Sequence, residues 1–195
     1  MSAMEVEEGE SLEARVAGLE GLEVALVDGA AGDLGRVSAQ LLLLYLTCDR
    51  LEEARFLWRR SFEATRGASA ELRLAWLAGA KLWQRGDVPG ALEALDAGPW
   101  GEATVGLAAE AAAAVRDREL ELFASAYGEV ALAKVANAVR LTDQQALEAC
   151  RAKGWVFSAT SATLKPKAPV PAAPTFDGFE QLNHLTTIVT QLSQA

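Results

Sequence analysis

Few residues of this chain are of the types that carry out covalent chemistry. The sequence has two cysteines, Cys48 and Cys150, and one histidine, His184. A hydrolytic triad would need that histidine beside a Ser or Cys nucleophile and a carboxylate, but His184 lies near the C-terminus on a polar helix face. A zinc site needs several His or Cys ligands, and the sequence contains no CxxC motif. We therefore predict no catalytic residue, no metal ligand, no cofactor-binding residue and no cofactor.

The two cysteines and a glycine-rich segment could in principle take part in chemistry, but we interpret both features as structural. Two cysteines are too few for a disulfide framework, and we interpret both as small apolar core residues in a reducing compartment. The segment Gly29-Ala-Ala-Gly-Asp-Leu-Gly35 is rich in glycine. It lacks the GK[ST] ending of a phosphate-binding loop, and no predicted strand precedes it. We predict a turn there.

Composition and charge narrow the class of protein. The 195 residues are 51% hydrophobic and 23% charged, which is typical of a folded globular chain. The longest apolar run, Leu41 to Leu46, has six residues, whereas a transmembrane helix needs about 20. The N-terminus has no basic region ahead of an apolar stretch. We expect a soluble, intracellular protein.

The net charge of −9 is concentrated at the N-terminus. Residues 1–33 contain nine acidic residues and one arginine, and the rest of the chain has 18 acidic and 17 basic residues. We interpret the acidic segment as a solvated tail that leads into a helix. A contact with a basic partner is the alternative. Because neither part has a basic patch, the charge pattern does not favour nucleic-acid binding.

Hydrophobic spacing predicts helices through most of the chain. The first stripe is Leu12, Val16, Leu19, Leu22 and Leu26, and a later one is Leu51, Ala54, Trp58 and Phe62. Tyr45 precedes Ala54 and Trp58, as Trp83 precedes Ala91 and Leu95. This similar layout predicts two packed helix pairs that are like degenerate tetratricopeptide (TPR) repeats. We interpret Trp58, Trp76 and Trp83 as packing residues of these pairs, and residues 102–123 as an alanine-rich helix.

The region after residue 124 predicts a winged helix with two short strands. A first helix contains Val130 to Val139, and Thr142 and Gln145 have the spacing of a capping box at the start of a second. Trp155 to Ser158 and Ser161 to Leu164 are typical of strands around a Ser-rich turn. Gln144 and Gln145 could read DNA bases, but the second helix has no net positive charge, so a protein-interaction winged helix is the better interpretation.

The C-terminal part of the chain predicts a linker and one more helix. Four of the six prolines lie in Lys165 to Pro174, which predicts an extended linker. The apolar residues after it have helical spacing: Phe179, Leu182, Leu185, Ile188, Val189 and Leu192. A single tethered helix is marginal in water, so we expect it to pack on a surface, either on this chain or in a bundle with other chains.

The chain is thus predicted to be mainly α. We divide it into an acidic helix and loop (1–35), TPR-like helical repeats (36–123), a winged-helix subdomain with a small β wing (124–164), a proline-rich linker (165–176) and a C-terminal helix (177–195). Within this order, the stretches ARFLWRR and KLWQR, followed by the winged-helix stretch from Ser125 to Trp155, carry a resemblance to a known family. The chain resembles the small PCI-domain subunits to which the eighth subunit of the COP-nine signalosome belongs.

The resemblance implies a non-catalytic scaffold. The signalosome removes a ubiquitin-like modifier from cullins of RING ubiquitin ligases (deneddylation), through a zinc site on another subunit. It implies nuclear and cytoplasmic localisation, and in a plant a role in light-dependent development. Partners would be other signalosome subunits, and cullin-RING ligases indirectly, with no nucleic acid and no membrane. Two contacts are implied: a winged-helix edge with Val156, Phe157 and Leu164, and a C-terminal bundle helix with Leu182, Leu185, Ile188, Val189 and Leu192.

Other functions remain open from the sequence. The related small PCI subunit of the proteasome lid is the alternative within the same class. A winged-helix nucleic-acid-binding protein is the alternative from another class, and an enzyme is the most distant one.

Overall fold

A computed structural model describes residues 11–26 and 31–167, together with Thr186. These residues form helices and short strands in the following order: α1 (Leu12–Ala25), α2 (Ala31–Thr47), α3 (Leu51–Arg60), α4 (Glu63–Ala68), α5 (Ala70–Arg85), α6 (Val88–Ala97), α7 (Glu102–Ala126), β1 (Val130–Ala131), α8 (Leu132–Val139), α9 (Asp143–Ala152), β2 (Val156–Ser158) and β3 (Thr163–Lys165). The prediction of a mainly α chain with a small β wing is confirmed.

Helix α2 lies at the centre of the first part of the molecule. Its five leucines from Leu41 to Leu46 are at most 1% exposed, and Tyr45 is 2% exposed. The helix contacts α1, α3, α4, α5 and α7. A helix that is apolar on all sides is stable only in the interior, which explains why LLLLYL is buried all round. The two predicted helix pairs are present: α2 packs on α3, and α5 packs on α6.

Residues 31–35 of the glycine-rich segment do not form the predicted turn. Helix α2 begins at Ala31, so Gly32 and Gly35 are helical. At Gly35 the helix passes close to the start of α5, and an added Cβ would lie 2.7 Å from the Cβ of Ser69 and 3.3 Å from the carbonyl oxygen of Thr65. The glycine therefore serves the close approach of two helices and not a change of chain direction.

Two aromatic residues lie outside the core positions predicted for them. Phe62 is 61% exposed and precedes α4, a short helix that the sequence did not predict. The core side of α3 is formed by Ala54 and Leu57 instead. Trp83 is 39% exposed, and its indole N–H donates to Glu52 at 2.9 Å. Trp58 and Trp76 are partly buried against the first core, as expected for packing residues.

The N-terminal helix is attached through two of the acidic residues that the sequence analysis assigned to solvent. Glu23 is 8% exposed and accepts two hydrogen bonds from the guanidinium of Arg60. Glu20 accepts a hydrogen bond of 2.6 Å from the hydroxyl of Tyr45. Burial and this carboxylate raise the pKa of the Tyr45 hydroxyl well above its ordinary value. The cation that Glu23 contacts thus belongs to the same chain.

Helix α7 joins two separate apolar cores. Its first half supplies Ala108, Ala111, Ala112 and Val115 to the core around α2, and its second half supplies Leu120 and Phe123 to the winged-helix core. Between the halves, Arg116 binds the carbonyl oxygen of Val139 and pairs with Asp96. Arg118 donates to the carbonyl oxygens of Leu46 and Thr47 at the end of α2. The two cores are therefore tied together by one helix.

Several predictions fall on residues outside the described ranges. They concern the acidic residues before Ser11, His184, the linker after Lys167 and the apolar stripe of the C-terminal helix (Leu182, Leu185, Ile188, Val189 and Leu192). Lys165, predicted to begin the linker, is the last residue of β3. Among the described residues, no helix is long and apolar enough to cross a membrane.

Two Gly→Ala substitutions can distinguish the cost of steric crowding at Gly35 from the gain in helix propensity. Gly35→Ala is expected to lower the free energy of unfolding by about 1–3 kcal/mol, because the new methyl group meets Ser69 and the Thr65 carbonyl. The control is Gly106→Ala in α7, where an added Cβ meets nothing within 4 Å. That change should raise the free energy of unfolding by about 0.5–1 kcal/mol, because alanine favours the helix more than glycine does. Urea denaturation measures both, and stabilisation by both changes would contradict the close approach.

The two ion pairs that hold α1 should differ in strength. Glu23→Gln is expected to lower the free energy of unfolding by about 1–3 kcal/mol, because it removes the charged partner of Arg60 at a buried position. Glu110→Gln breaks the exposed pair with Arg15 at the other end of α1 and should cost less than about 1 kcal/mol. Chemical denaturation of both variants tests this, and equal effects would mean that burial does not set the difference.

Candidate interaction surfaces

The winged-helix subdomain surrounds its own core. Residues of α7, α8, α9 and the sheet enclose it, among them Leu120, Phe123, Cys150, Trp155 and Leu164. Burial raises the pKa of the Cys150 thiol to about 11, although the charge of Lys153 opposes the shift. The interpretation of Cys150 as a core residue is confirmed. Cys48 is partly buried and packs against the first core.

The wing has three strands where the sequence predicted two. Val130 and Ala131, predicted to begin a helix, form β1 and pair antiparallel with Leu164 and Thr163 of β3. Local helical spacing could not reveal this pairing, because the partner strand is more than 30 residues away in sequence. The capping box of Thr142 and Gln145 is present at the start of α9, as predicted.

The sheet order is β1-β3-β2, so β2 has one side without a strand neighbour among the described residues. Strand side chains alternate between the two faces of a sheet. Val156 points outward and is 67% exposed, whereas Phe157 packs against the winged-helix core. Leu164 lies on the central strand opposite both Val130 and Phe157 and is 0% exposed. Of the three predicted edge residues, Val156 is thus accessible, Phe157 is half-buried, and Leu164 supports the wing from within.

The side chains that could have read DNA bases are engaged within α9. The side-chain oxygen of Gln145 accepts a hydrogen bond from the backbone N–H of Thr142 at 3.2 Å, and Gln144 donates to Glu148 at 3.5 Å. Lys153 is paired with Asp117 at 2.6 Å and with Glu121 at 3.3 Å. Burial by itself would lower the pKa of Lys153, but the two carboxylates outweigh it and raise the pKa. The geometry therefore does not favour DNA binding through this helix.

A second candidate interaction surface lies where α3 and α5 pack side by side. A cleft of about 300 Å³ is lined there by Arg55, Trp58, Arg59, Trp76, Trp83 and Gln84; we call it the Arg–Trp cleft. The rings of Trp58 and Trp76 stack with their centroids 5.1 Å apart. The guanidinium of Arg55 lies 4.3 Å from the centre of the Trp83 ring. The sequence analysis predicted all three tryptophans to be packing residues, and Trp58 and Trp76 do pack against the first core. Spacing alone does not show that Trp83 is exposed.

No group of His, Cys, Asp and Glu side chains that could hold a metal ion occurs within residues 11–26 and 31–167. Two accessible features of these ranges are the unpaired edge of β2 and the Arg–Trp cleft. Both are of a kind used for protein contacts.

Comparisons with known proteins identify relatives of this chain. A model of the CSN8/PSMD8/EIF3K family matches residues 35–174. The chain is 30% identical over 158 residues to COP9 signalosome complex subunit 8 of Danio rerio, covering 80% of this chain and 82% of that protein. It is 32% identical over 158 residues to the Xenopus tropicalis subunit 8, covering 80% and 81%. For the Arabidopsis thaliana subunit 8, the identity is 30% over 129 residues and 65% of each chain.

The family model spans well over half of the chain, including the repeat helices and the winged helix, and the resemblance to this family is confirmed. The chain belongs to the CSN8/PSMD8/EIF3K family.

Proposed function

We propose that this protein is a non-catalytic scaffold subunit of a COP9 signalosome. In this role it would contribute to the removal of a ubiquitin-like modifier from cullins, and so to the control of ubiquitin-dependent degradation. The observation that carries the proposal is the similarity to subunit 8 of the COP9 signalosome from fish, frog and plant, which covers the repeat helices and the winged helix together.

The family description also includes relatives of other complexes, so the family alone does not select the signalosome. The names of the similar proteins make that selection, since they are signalosome subunits. The proteasome-lid alternative is therefore not favoured. The nucleic-acid alternative is weakened by Gln145 and Lys153, whose side chains are engaged within the chain.

A scaffold role is also consistent with the chemistry of the sequence. A zinc metalloprotease site of the signalosome kind needs two histidines and an aspartate as ligands, with a glutamate to activate water. The sequence has one histidine. The protein would therefore act through its contacts, and the catalytic zinc would belong to another subunit.

The contacts are proposed at two places. At the wing, the edge of β2 would pair with the winged helix of a neighbouring subunit, with Val156 as the exposed contact and Phe157 beneath it. Leu164, which is buried in the winged-helix core, would stabilise the wing and not contact the partner. The C-terminal stripe of Leu182, Leu185, Ile188, Val189 and Leu192 would join a helical bundle with other subunits. Localisation to nucleus and cytoplasm would follow from that of the complex.

The test of the proposal is the native state of the protein in its own cells. The tagged chain, purified gently, is expected to elute as a multi-subunit particle that removes the modifier from cullins. Native mass spectrometry identifies the accompanying chains, and a cullin cleavage assay measures the activity. A chain that elutes alone, or with proteasomes or nucleic acid, would contradict the proposal.

The wing contact makes a separate prediction. Val156→Asp is expected to reduce incorporation into the particle by about tenfold or more, because a carboxylate at the strand edge is desolvated on pairing. The fold should persist, since the side chain is 67% exposed. Val105→Asp is the matched control, because Val105 is 52% exposed at the start of α7, away from the wing. Quantitative co-purification measures both, and equal incorporation of the two variants would remove Val156 from the interface.

A further inference from the structure

The Arg–Trp cleft has a composition that differs from the rest of the chain. Residues 51–85, which form α3, α4 and α5, contain seven basic and four acidic residues, a formal charge of +3 in a chain of net charge −9. Tryptophan and arginine are also the residue types most enriched at the centres of protein interfaces. The wing and the C-terminal helix, where the scaffold contacts are proposed, are other parts of the chain. The cleft is therefore a candidate for a different partner.

Much of the aromatic surface of the cleft is already covered. Trp58 stacks on Trp76 with only 4° between the ring planes, and the guanidinium of Arg66 lies 4.7 Å from the centre of the Trp58 ring. The guanidinium of Arg55 covers Trp83. A guanidinium stacked on a ring is held in place but still presents its N–H groups at its edge. The cleft thus offers fixed N–H donors and ring edges in preference to free ring faces.

The cleft already binds one carboxylate of its own chain. One oxygen of Glu52 accepts from the indole N–H of Trp83 at 2.9 Å, and the other accepts from Arg55 at 3.2 Å. These two contacts lower the pKa of the Glu52 carboxyl group. The donors on this surface are therefore arranged for carboxylates.

Arg59 is a cation of the cleft that has no carboxylate partner among the described residues. Arg59 lies in the last turn of α3 and is exposed, and its guanidinium makes no hydrogen bond or ion pair with any residue in the described ranges. By contrast, Arg60 forms an ion pair with Glu23, and Arg66 donates to the carbonyl oxygens of Trp58 and Arg59. A planar guanidinium can bind a carboxylate through two parallel hydrogen bonds. Arg59 is thus placed to recognise an incoming acidic group.

We propose that the Arg–Trp cleft is a docking site for an acidic linear peptide of a partner protein. Carboxylates of the peptide bind Arg59 and the free N–H groups of Arg55. An apolar side chain of the peptide, placed between its acidic residues, packs against the edges of Trp76 and Trp83. This contact uses residues other than those proposed for the wing contact and for the C-terminal stripe. It gives the protein a second means of recruiting a partner.

Charge and geometry favour this occupant over two others. Single-stranded nucleic acid binds such surfaces by stacking bases on open aromatic faces, and the faces of Trp58 are taken by Trp76 and Arg66. A proline-rich segment is typical of aromatic grooves. The proline-rich segment of this chain, KPKAPVPAAP, carries two lysines, which the arginines of the cleft repel.

The experiment is peptide binding to the full-length chain, measured by fluorescence polarisation. The probes are labelled peptides of sequence DEDELDEDE, DEDEGDEDE and KRKRLKRKR, the peptide KPKAPVPAAP, and an oligothymidylate. The leucine-containing acidic peptide is expected to bind most tightly, the glycine version more weakly, and the basic and proline-rich peptides not at all. Affinity should fall as salt is raised, since the charges are exposed.

Arg59→Glu is the decisive variant and should weaken binding of the acidic peptide by about tenfold or more, because it places a carboxylate against the ligand. Arg151→Glu is the matched control: Arg151 is an exposed arginine in the last turn of α9, a helix of the same 10-residue length as α3. It should leave binding unchanged. Circular dichroism confirms that both variants are folded.

Three results would overturn the proposal. Equal loss of binding in both variants would mean that only total charge matters. Tighter binding of the oligothymidylate or of KPKAPVPAAP than of the acidic peptide would assign the cleft to another class of ligand. Absence of binding by the leucine-containing acidic peptide at low salt would remove the site altogether.

Discussion

The burial on all sides of the Leu41–Leu46 segment of α2 is the constraint on which the rest of the repeat part depends. Its five leucines between Leu41 and Leu46 are almost fully buried, and each such side chain contributes about 1.5–3 kcal/mol. Because no face of the segment from Leu41 to Leu46 is polar, other helices must cover it, and α2 is in contact with α1, α3, α4, α5 and α7. At the end of α2, the guanidinium of Arg118 donates to the carbonyl oxygen of Thr47 and adds a second donor at the carbonyl oxygen of Leu46, which also accepts from the backbone N–H of Asp49.

The second constraint is the continuity of α7. A helix of 25 residues is about 37 Å long, enough to leave one core and enter another. Alanines on its first half let neighbouring helices approach closely, and Leu120 and Phe123 on its second half fill the winged-helix core. Arg116 contacts residues of both parts, Asp96 in the repeats and Val139 in the winged helix. Helix α7, together with the packing of α6 on α8, therefore sets the orientation of the wing and the direction in which the β2 edge faces.

Arginine illustrates how one residue type serves different purposes in this chain. Arg60 holds α1 through Glu23, Arg66 closes the end of α3, and Arg118 closes the end of α2. Arg59 is exposed and makes no comparable contact in the described ranges. All four lie within helices. Their roles differ because of the elements that pack against them, and this difference distinguishes a structural arginine from one available to a partner.

The sequence by itself determined the helical class, the capping box of α9, the wing and the family, because these depend on local spacing, on short-range hydrogen bonds and on matching residues. Only the tertiary structure decided which faces are covered. Gly35 proved to be a contact between helices, Val130 became a strand by pairing with a distant segment, and Trp83 remained exposed. Leu164 and Val156 are both apolar strand residues, yet one is buried and the other is accessible. Neighbours that are distant in sequence set each of these outcomes, so no local pattern could encode them.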